Sequence, residues 1–168
     1  MRDQYWTMYM KIKYHYFYYK HYSSFFNKVN FILSSFCTLV SLSCVTAWGI
    51  WGSHPVTWSL IIGISQVIQA LSPKFSFNNF LISCRFIMCP LNNLLCNIDL
   101  TWMRMNYIKD YSDKKIFHFI QKYSIQNEKL TNQFFADSFL PEYPFLKKRA
   151  DRDLKNFISL KYPTKKEV

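Results

Sequence analysis

A stretch of 45 residues without a charge constrains the fold of this chain more than any other feature. No Asp, Glu, Lys or Arg occurs between Lys28 and Lys74. In soluble proteins about a quarter of the residues are charged, so a gap of this length is typical of a segment that lies in a membrane. We therefore expect an integral membrane protein.

Two apolar runs fill the uncharged stretch. Residues 29–51 would form a helix of about 34 Å, enough to cross a hydrocarbon core of about 30 Å. Residues 56–72 are just long enough to cross, and they include Gln66 and Gln69, which are costly in lipid unless they face protein or water. The pattern predicts a transmembrane helical hairpin over residues 29–72.

The turn between the two runs carries aromatic rings on both sides. Gly52 and Pro55 favour a reversal there, and the neighbouring rings are expected to anchor the outer end of the hairpin at the membrane interface: Trp48, Trp51 and Trp58. His54 is interpreted as a solvated loop residue. In a ring of copies it would surround the outer mouth and make opening depend on pH near about 6 to 7.

The hydrophobic runs have two other interpretations. A cleaved signal peptide would need a charged leader of 28 residues, and it would not explain the second run that follows at once. A buried helical hairpin in a soluble protein is the stronger rival.

Basic residues on both sides of the hairpin predict its orientation. Residues 1–28 carry five Lys and Arg against the single acid Asp3, while the connecting loop carries no fixed charge. The positive-inside rule then places both termini in the cytoplasm, with these cations at the membrane interface: Lys28, Lys74 and Arg85. The expected domains are a basic aromatic helix (1–28), the hairpin (29–72) and a cytoplasmic helical domain (73–168).

The rest of the chain is also expected to be helical, which makes the predicted fold class all-α. In the first segment, one stripe at helical spacing contains Tyr5, Met8, Ile12, Tyr16, Tyr19 and Ser23. An amphipathic helix on the inner membrane surface is the preferred interpretation. The alternative is a nucleic-acid face on which rings interleave with lysines.

The C-terminal part predicts several further helices. Residues 79–108 have a broad apolar face that Pro90 should kink or break, so an amphipathic helix is favoured over a third span at about 80–98. A helix beginning at Ser112 or Asp113, another beginning at Ser124 and a last one over 146–160 should pack on one another and on the first helix.

The sequence offers little for catalysis, so no enzyme, cofactor, metal site or small-molecule substrate is predicted. All three glycines lie within the hairpin, which excludes a phosphate-binding loop, and the histidines and cysteines lack metal-ligand spacing. The nuclease pattern R-x-x-x-x-H is also missing. Five residues after Arg85, Arg104, Arg149 and Arg152 stand Pro90, Lys109, Leu154 and Phe157.

Small polar residues recur along both predicted spans. Ser34, Thr38 and Ser41 follow one helical line, and Ser65 and Gln69 follow another beside Gln66. Such lines permit close helix packing or line a water-filled path between several copies. Because one hairpin cannot easily satisfy two buried amides, a homo-oligomer is expected, with these six residues as pore-lining candidates.

The overall plan resembles small two-span bacterial antiviral effectors. The basic aromatic start, the hairpin with "AWGIWGSHPVTW", the exit "ISQVIQALSPKFSF" and the helical tail are similar to SLATT-like families and to the membrane accessory protein of type VI-B CRISPR systems. The resemblance implies an oligomeric pore or membrane-perturbing effector in antiviral defence. It does not extend to the accessory protein's R-x-x-x-x-H signature.

Two further functions are kept as alternatives. One is a membrane anchor or scaffold that binds a cytoplasmic protein without conducting. The other is RNA or DNA binding through the basic tail and the first helix, with an affinity that falls steeply with salt.

Overall fold

The computed structural model describes residues 1–50, 55–71, 77–107, 111–135 and 140–162, with side chains outside the description at 41–50, 55, 58, 69, 71 and 77–79. The described residues form helices joined by short connections: α1 (Arg2–Ile50), α2 (Pro55–Leu71), α3 (Phe77–Tyr107), α4 (Asp113–Phe135) and α5 (Pro144–Lys161). The all-α fold class is confirmed for these residues.

Helix α1 joins two segments that the sequence interpretation treated as separate. It runs for 49 residues, through the expected boundary at Lys28. The first glycine is Gly49 and no proline precedes it, so nothing in the sequence interrupts the helix earlier. Helix α2 begins at Pro55, where the missing amide hydrogen costs no helical hydrogen bond.

Two predicted breaks are absent from the helices of the C-terminal half. Helix α3 continues through Pro90, with Ile87 and Leu91 buried on either side of it. That packing offsets the hydrogen bond that proline removes. Helix α4 continues through Ser124, where a new helix was expected, because no Gly or Pro interrupts residues 113–135.

The helices are grouped in two compact units. Met1–Ser23 and Ile82–Val168 form one, here called the terminal unit, and Ser24–Leu81 form the other, here called the apolar unit. The terminal unit is therefore built from both ends of the chain.

The core of the terminal unit is lined by tyrosines of α1. Tyr5, Tyr9 and Tyr22 are almost completely buried, and the Tyr5 hydroxyl donates to the backbone carbonyl of Ile98 in α3 at 2.8 Å. Of the predicted stripe, Tyr5, Ile12 and Tyr19 are buried, and the others are half-buried: Met8, Tyr16 and Ser23. The buried rings pack against protein within the terminal unit.

Helix α4 is held to α3 by a buried pair of hydroxyls. Thr101 and Tyr123 lie 2.7 Å apart, and Thr101 also donates to the carbonyl of Asn97 at 2.9 Å. Both side chains are buried, so each polar group needs such a partner.

Helix α5 is held at its start and along its length by α1. The Tyr18 hydroxyl donates to the carbonyl of Pro141 at 2.8 Å and accepts the amide hydrogen of Tyr143 at 3.1 Å. His21 lies 2.8 Å from a carboxylate oxygen of Asp153. These contacts confirm the expectation that the C-terminal helices pack on the first helix.

The first prediction concerns the tyrosine core. Tyr5→Phe removes the hydrogen bond to Ile98 but keeps the ring, so we expect the free energy of unfolding to fall by about 1 kcal/mol in chemical denaturation. Tyr107→Phe is the matched control, since that side chain is 90% exposed, and it should change stability by less than about 0.5 kcal/mol. Equal effects of the two variants would contradict the described core.

A second prediction concerns alkaline pH. Burial raises the pKa of Tyr19 to about 12, and burial followed by the nearby Asp99 carboxylate does the same for Tyr162. A tyrosine in the unfolded chain has a pKa of about 10. Between these pH values the unfolded chain loses protons that the folded chain keeps, so stability should be full below pH 10 and fall as pH rises towards 12.

Phenolate absorbance recorded together with circular dichroism checks this expectation. The buried tyrosines should ionise together with the loss of helix. Complete ionisation of all tyrosines with unchanged helicity would contradict it.

Candidate membrane interface

The apolar unit exposes large hydrophobic side chains on much of its surface. Phe31 is 74% exposed and Val56 is 80% exposed. Further exposed members of this set are Ile32, Leu33, Phe36, Leu39, Leu60, Ile64 and Val67. An extended apolar surface marks a site that binds a membrane or another protein. Because no charge interrupts residues 29–73, this surface suits hydrocarbon along its whole length.

Contacts between α1 and α2 form the interior of the apolar unit. Cys37 and Val40 are buried, and the Cys37 thiol donates to the carbonyl of Ser65 at 3.8 Å. Ser65 is only 2% exposed, and its hydroxyl donates to the carbonyl of Ile62 at 2.8 Å. Within a single chain this candidate pore-lining residue thus faces the interior of the helix pair.

Three other pore-lining candidates lie on the surface of the apolar unit. Ser34, Thr38 and Gln66 are exposed. The Thr38 hydroxyl donates to the Ser34 carbonyl at 2.9 Å, one helical turn earlier, which confirms that these two residues share a line on α1. Ser41 and Gln69 belong to α1 and α2, but their side chains lie outside the description.

The interface residues predicted from the sequence are only partly described. Lys28 and Arg85 are exposed. Trp48 and Trp58 belong to α1 and α2 without described side chains. Trp51, His54 and Lys74 lie outside the described residues. The anchoring and pH-sensing roles of this group stay predictions.

One stretch within the described residues is long and apolar enough to cross a membrane by length and composition. It is Phe80–Tyr107, and 39% of its most apolar part is buried in the protein. Ser59–Ile68 is a shorter apolar helix. This supports an association with membranes, while the two predicted spans and their topology stay predictions. Part of the first predicted span falls on residues whose side chains are outside the description.

Helix α3 also has a structural role that explains its apolar character. Ile87, Leu91 and Ile98 are at most 1% exposed. Asp99 accepts a hydrogen bond from Tyr9 of α1 at 3.2 Å and pairs with Lys161 of α5. This helix therefore supplies the centre of the terminal unit, to which α1, α4 and α5 all attach.

Sequence reasoning missed the polar network around Asp99. Nothing in the local pattern paired this carboxylate with Tyr9 or Lys161, which are distant along the chain. The available signal was the single acid within the apolar residues 79–108, because a partly buried carboxylate requires a donor or a cation.

A groove of about 370 Å³ lies between α1 and α4 in the terminal unit. Its charged and titratable side chains are Lys11, His15, Tyr19 and Glu128. Burial, followed by the nearby Lys11, lowers the pKa of His15, so this imidazole is neutral at physiological pH. Among the described residues, no group of three or more His, Cys, Asp or Glu side chains is placed to hold a metal ion.

Comparisons with protein-family models, with curated proteins and with solved structures found no match.

The third prediction tests the membrane interface. Ile64→Lys places a charge at an exposed position near the middle of α2. A lysine at the centre of a span costs about 2.5 to 3.5 kcal/mol of insertion free energy, so the variant should shift from the membrane fraction to the soluble or degraded fraction. Carbonate extraction of cell membranes measures this shift.

Leu160→Lys is the matched control, because that side chain is 83% exposed on α5 in the terminal unit. We expect it to remain in the membrane fraction like the unmodified chain. If Ile64→Lys partitions in the same way as Leu160→Lys, the exposed surface of the apolar unit is not a lipid interface.

Proposed function

We propose that this protein inserts its apolar unit into a bacterial inner membrane as a two-helix hairpin, assembles with further copies and makes the membrane permeable. The single observation that carries the proposal is the exposed apolar surface of the apolar unit, whose side chains all fall within the uncharged residues 29–73. Transfer of such a surface from water to lipid is favourable. The terminal unit, which carries all ten acidic residues, stays in the cytoplasm together with both chain ends.

Exposed polar groups on the same unit support self-association. The Gln66 amide is exposed among residues suited to lipid, and hydrocarbon offers it no hydrogen-bond partner. The Thr38 hydroxyl is satisfied by its own helix, so Gln66 has the greater need of a second chain. A neighbouring copy or a water-filled path between copies would provide that partner.

A permeable path is the proposed product of this assembly. Several hairpins that turn Ser34, Thr38 and Gln66 towards a common axis would keep their apolar side chains against lipid and their polar side chains against water. Depolarisation of an infected cell would follow, in keeping with the resemblance to antiviral membrane effectors.

A non-conducting anchor or scaffold is the second candidate. The observation that favours it is the interior position of Ser65, which removes one polar side chain from the outer surface of the hairpin. In this case the apolar unit would only hold the terminal unit at the membrane, where it would bind a cytoplasmic protein.

The fourth prediction separates a pore from an anchor. Replacing Gln66 and Gln69 together by Leu should abolish conductance in planar bilayers and depolarisation in cells, because the path loses its polar lining. Val67→Leu is the control, since this exposed apolar neighbour should retain full conductance.

Membrane insertion is measured in the same samples. Insertion with no conductance in the unmodified protein would favour the anchor. Unchanged conductance in the double variant would show that these amides do not line the path.

A further inference from the structure

The outward side of α4 is strongly basic. At about 100° per residue, Lys114, Lys115, His118, Lys122, Ile125 and Lys129 fall within an arc of about 100°, here called the α4 basic face. All six side chains are exposed. Ile116 and Tyr123 lie on the opposite side of the helix and are buried, so packing within the terminal unit fixes which side points outwards.

The lysines of this face have no acidic partner among the described residues. No ion pair there involves a lysine of α4, and the same holds for Lys148 and Lys155 of α5, whereas Lys147 pairs with Glu142 and Lys161 pairs with Asp99. Arg152 also lies 4.0 Å from Asp153. The positive charge of the α4 basic face is thus available to a partner outside the chain.

Apolar side chains accompany this charge. Ile125 is 56% exposed within the face, and Phe117, which is 55% exposed, lies about 60° beyond its edge with Glu128 between them. Exposed apolar residues among lysines suit the boundary between lipid headgroups and acyl chains, where rings and branched chains enter and ammonium groups stay with the phosphates.

We infer that the α4 basic face binds the anionic headgroups of the cytoplasmic leaflet. The inference deepens the proposed function by assigning a lipid class to the terminal unit. A nucleic acid is the less suitable partner, because the apolar side chain within the face is the aliphatic Ile125, which offers no ring for base stacking, and the core tyrosines of α1 are buried. Each lysine close to an anionic surface contributes about a fivefold gain in binding.

Lysine acylation of the full chain, read by mass spectrometry, tests the inference. The chain is reconstituted in nanodiscs of phosphatidylcholine alone or with phosphatidylglycerol. We expect labelling of Lys122 and Lys129 to fall about fivefold or more with phosphatidylglycerol and to recover at high salt. Lys148 and Lys155 of α5, exposed on the same chain, serve as internal controls and should label equally in both lipids.

A variant with Lys115, Lys122 and Lys129 changed to Gln gives the functional comparison. It should lose the preference for phosphatidylglycerol that the unmodified chain shows in competition between the two kinds of disc, whereas Lys148→Gln with Lys155→Gln should keep it. Equal labelling of α4 in both lipids, or protection by single-stranded RNA in its place, would overturn the inference.

Failure of the proposed function has a different signature. If the chain does not enter nanodiscs, insertion of the apolar unit is disproved. Acylation in the presence of added vesicles of the same two lipids then decides separately whether α4 recognises phosphatidylglycerol.

Discussion

The hydrogen bonds between α1 tyrosines and α3 are the contacts on which the terminal unit depends. The Tyr5 hydroxyl reaches a backbone carbonyl 93 positions further along the chain, and Tyr9 reaches the carboxylate of Asp99. Large rings fill the space between the helices, while each hydroxyl requires an acceptor at one place, so the rings supply apolar area and the hydroxyls fix the register. The basic surface of α4 is oriented by the same packing, because its buried side meets α3 through Thr101 and Tyr123.

The two units meet opposite physical requirements. The terminal unit buries the α1 tyrosines Tyr5, Tyr9 and Tyr22 in its core and exposes the lysines of α4. The apolar unit hides Cys37, Val40 and Ser65 but leaves phenylalanine, leucine and valine on its surface. An aqueous environment would penalise that second arrangement, and a bilayer would stabilise it.

Sequence patterns predicted the helical class and the approximate extent of most helices, because apolar periodicity and the positions of Gly and Pro are local signals. A break at Pro90 and a new helix at Ser124 were wrong predictions, because packing around Pro90 and an uninterrupted helical sequence around Ser124 keep both helices continuous. The tyrosine stripe was predicted to lie on the membrane surface, but its buried rings pack against protein, since periodicity shows that a face is apolar without showing what covers it.

The partners of Asp99 depend on contacts between distant parts of the chain, which a single sequence does not reveal. Among the candidate pore residues, Ser65 lies inside the helix pair while Gln66 beside it is exposed, and spacing alone does not show which side of α2 faces α1.

The discontinuous origin of the terminal unit sets the order in which the protein can be made. Residues 24–81 leave the ribosome before most of the partners of the first 23 residues exist. The contact between His21 and Asp153 can form only after 132 further residues have been synthesised. At about 5 to 20 residues per second, the tyrosine face of α1 stays without its partners for several seconds. The helices of the apolar unit therefore emerge while the terminal unit is still open, so membrane targeting during synthesis would precede closure of the tyrosine core. A chain released without a membrane would expose the apolar unit and the tyrosine face of α1 to aggregation.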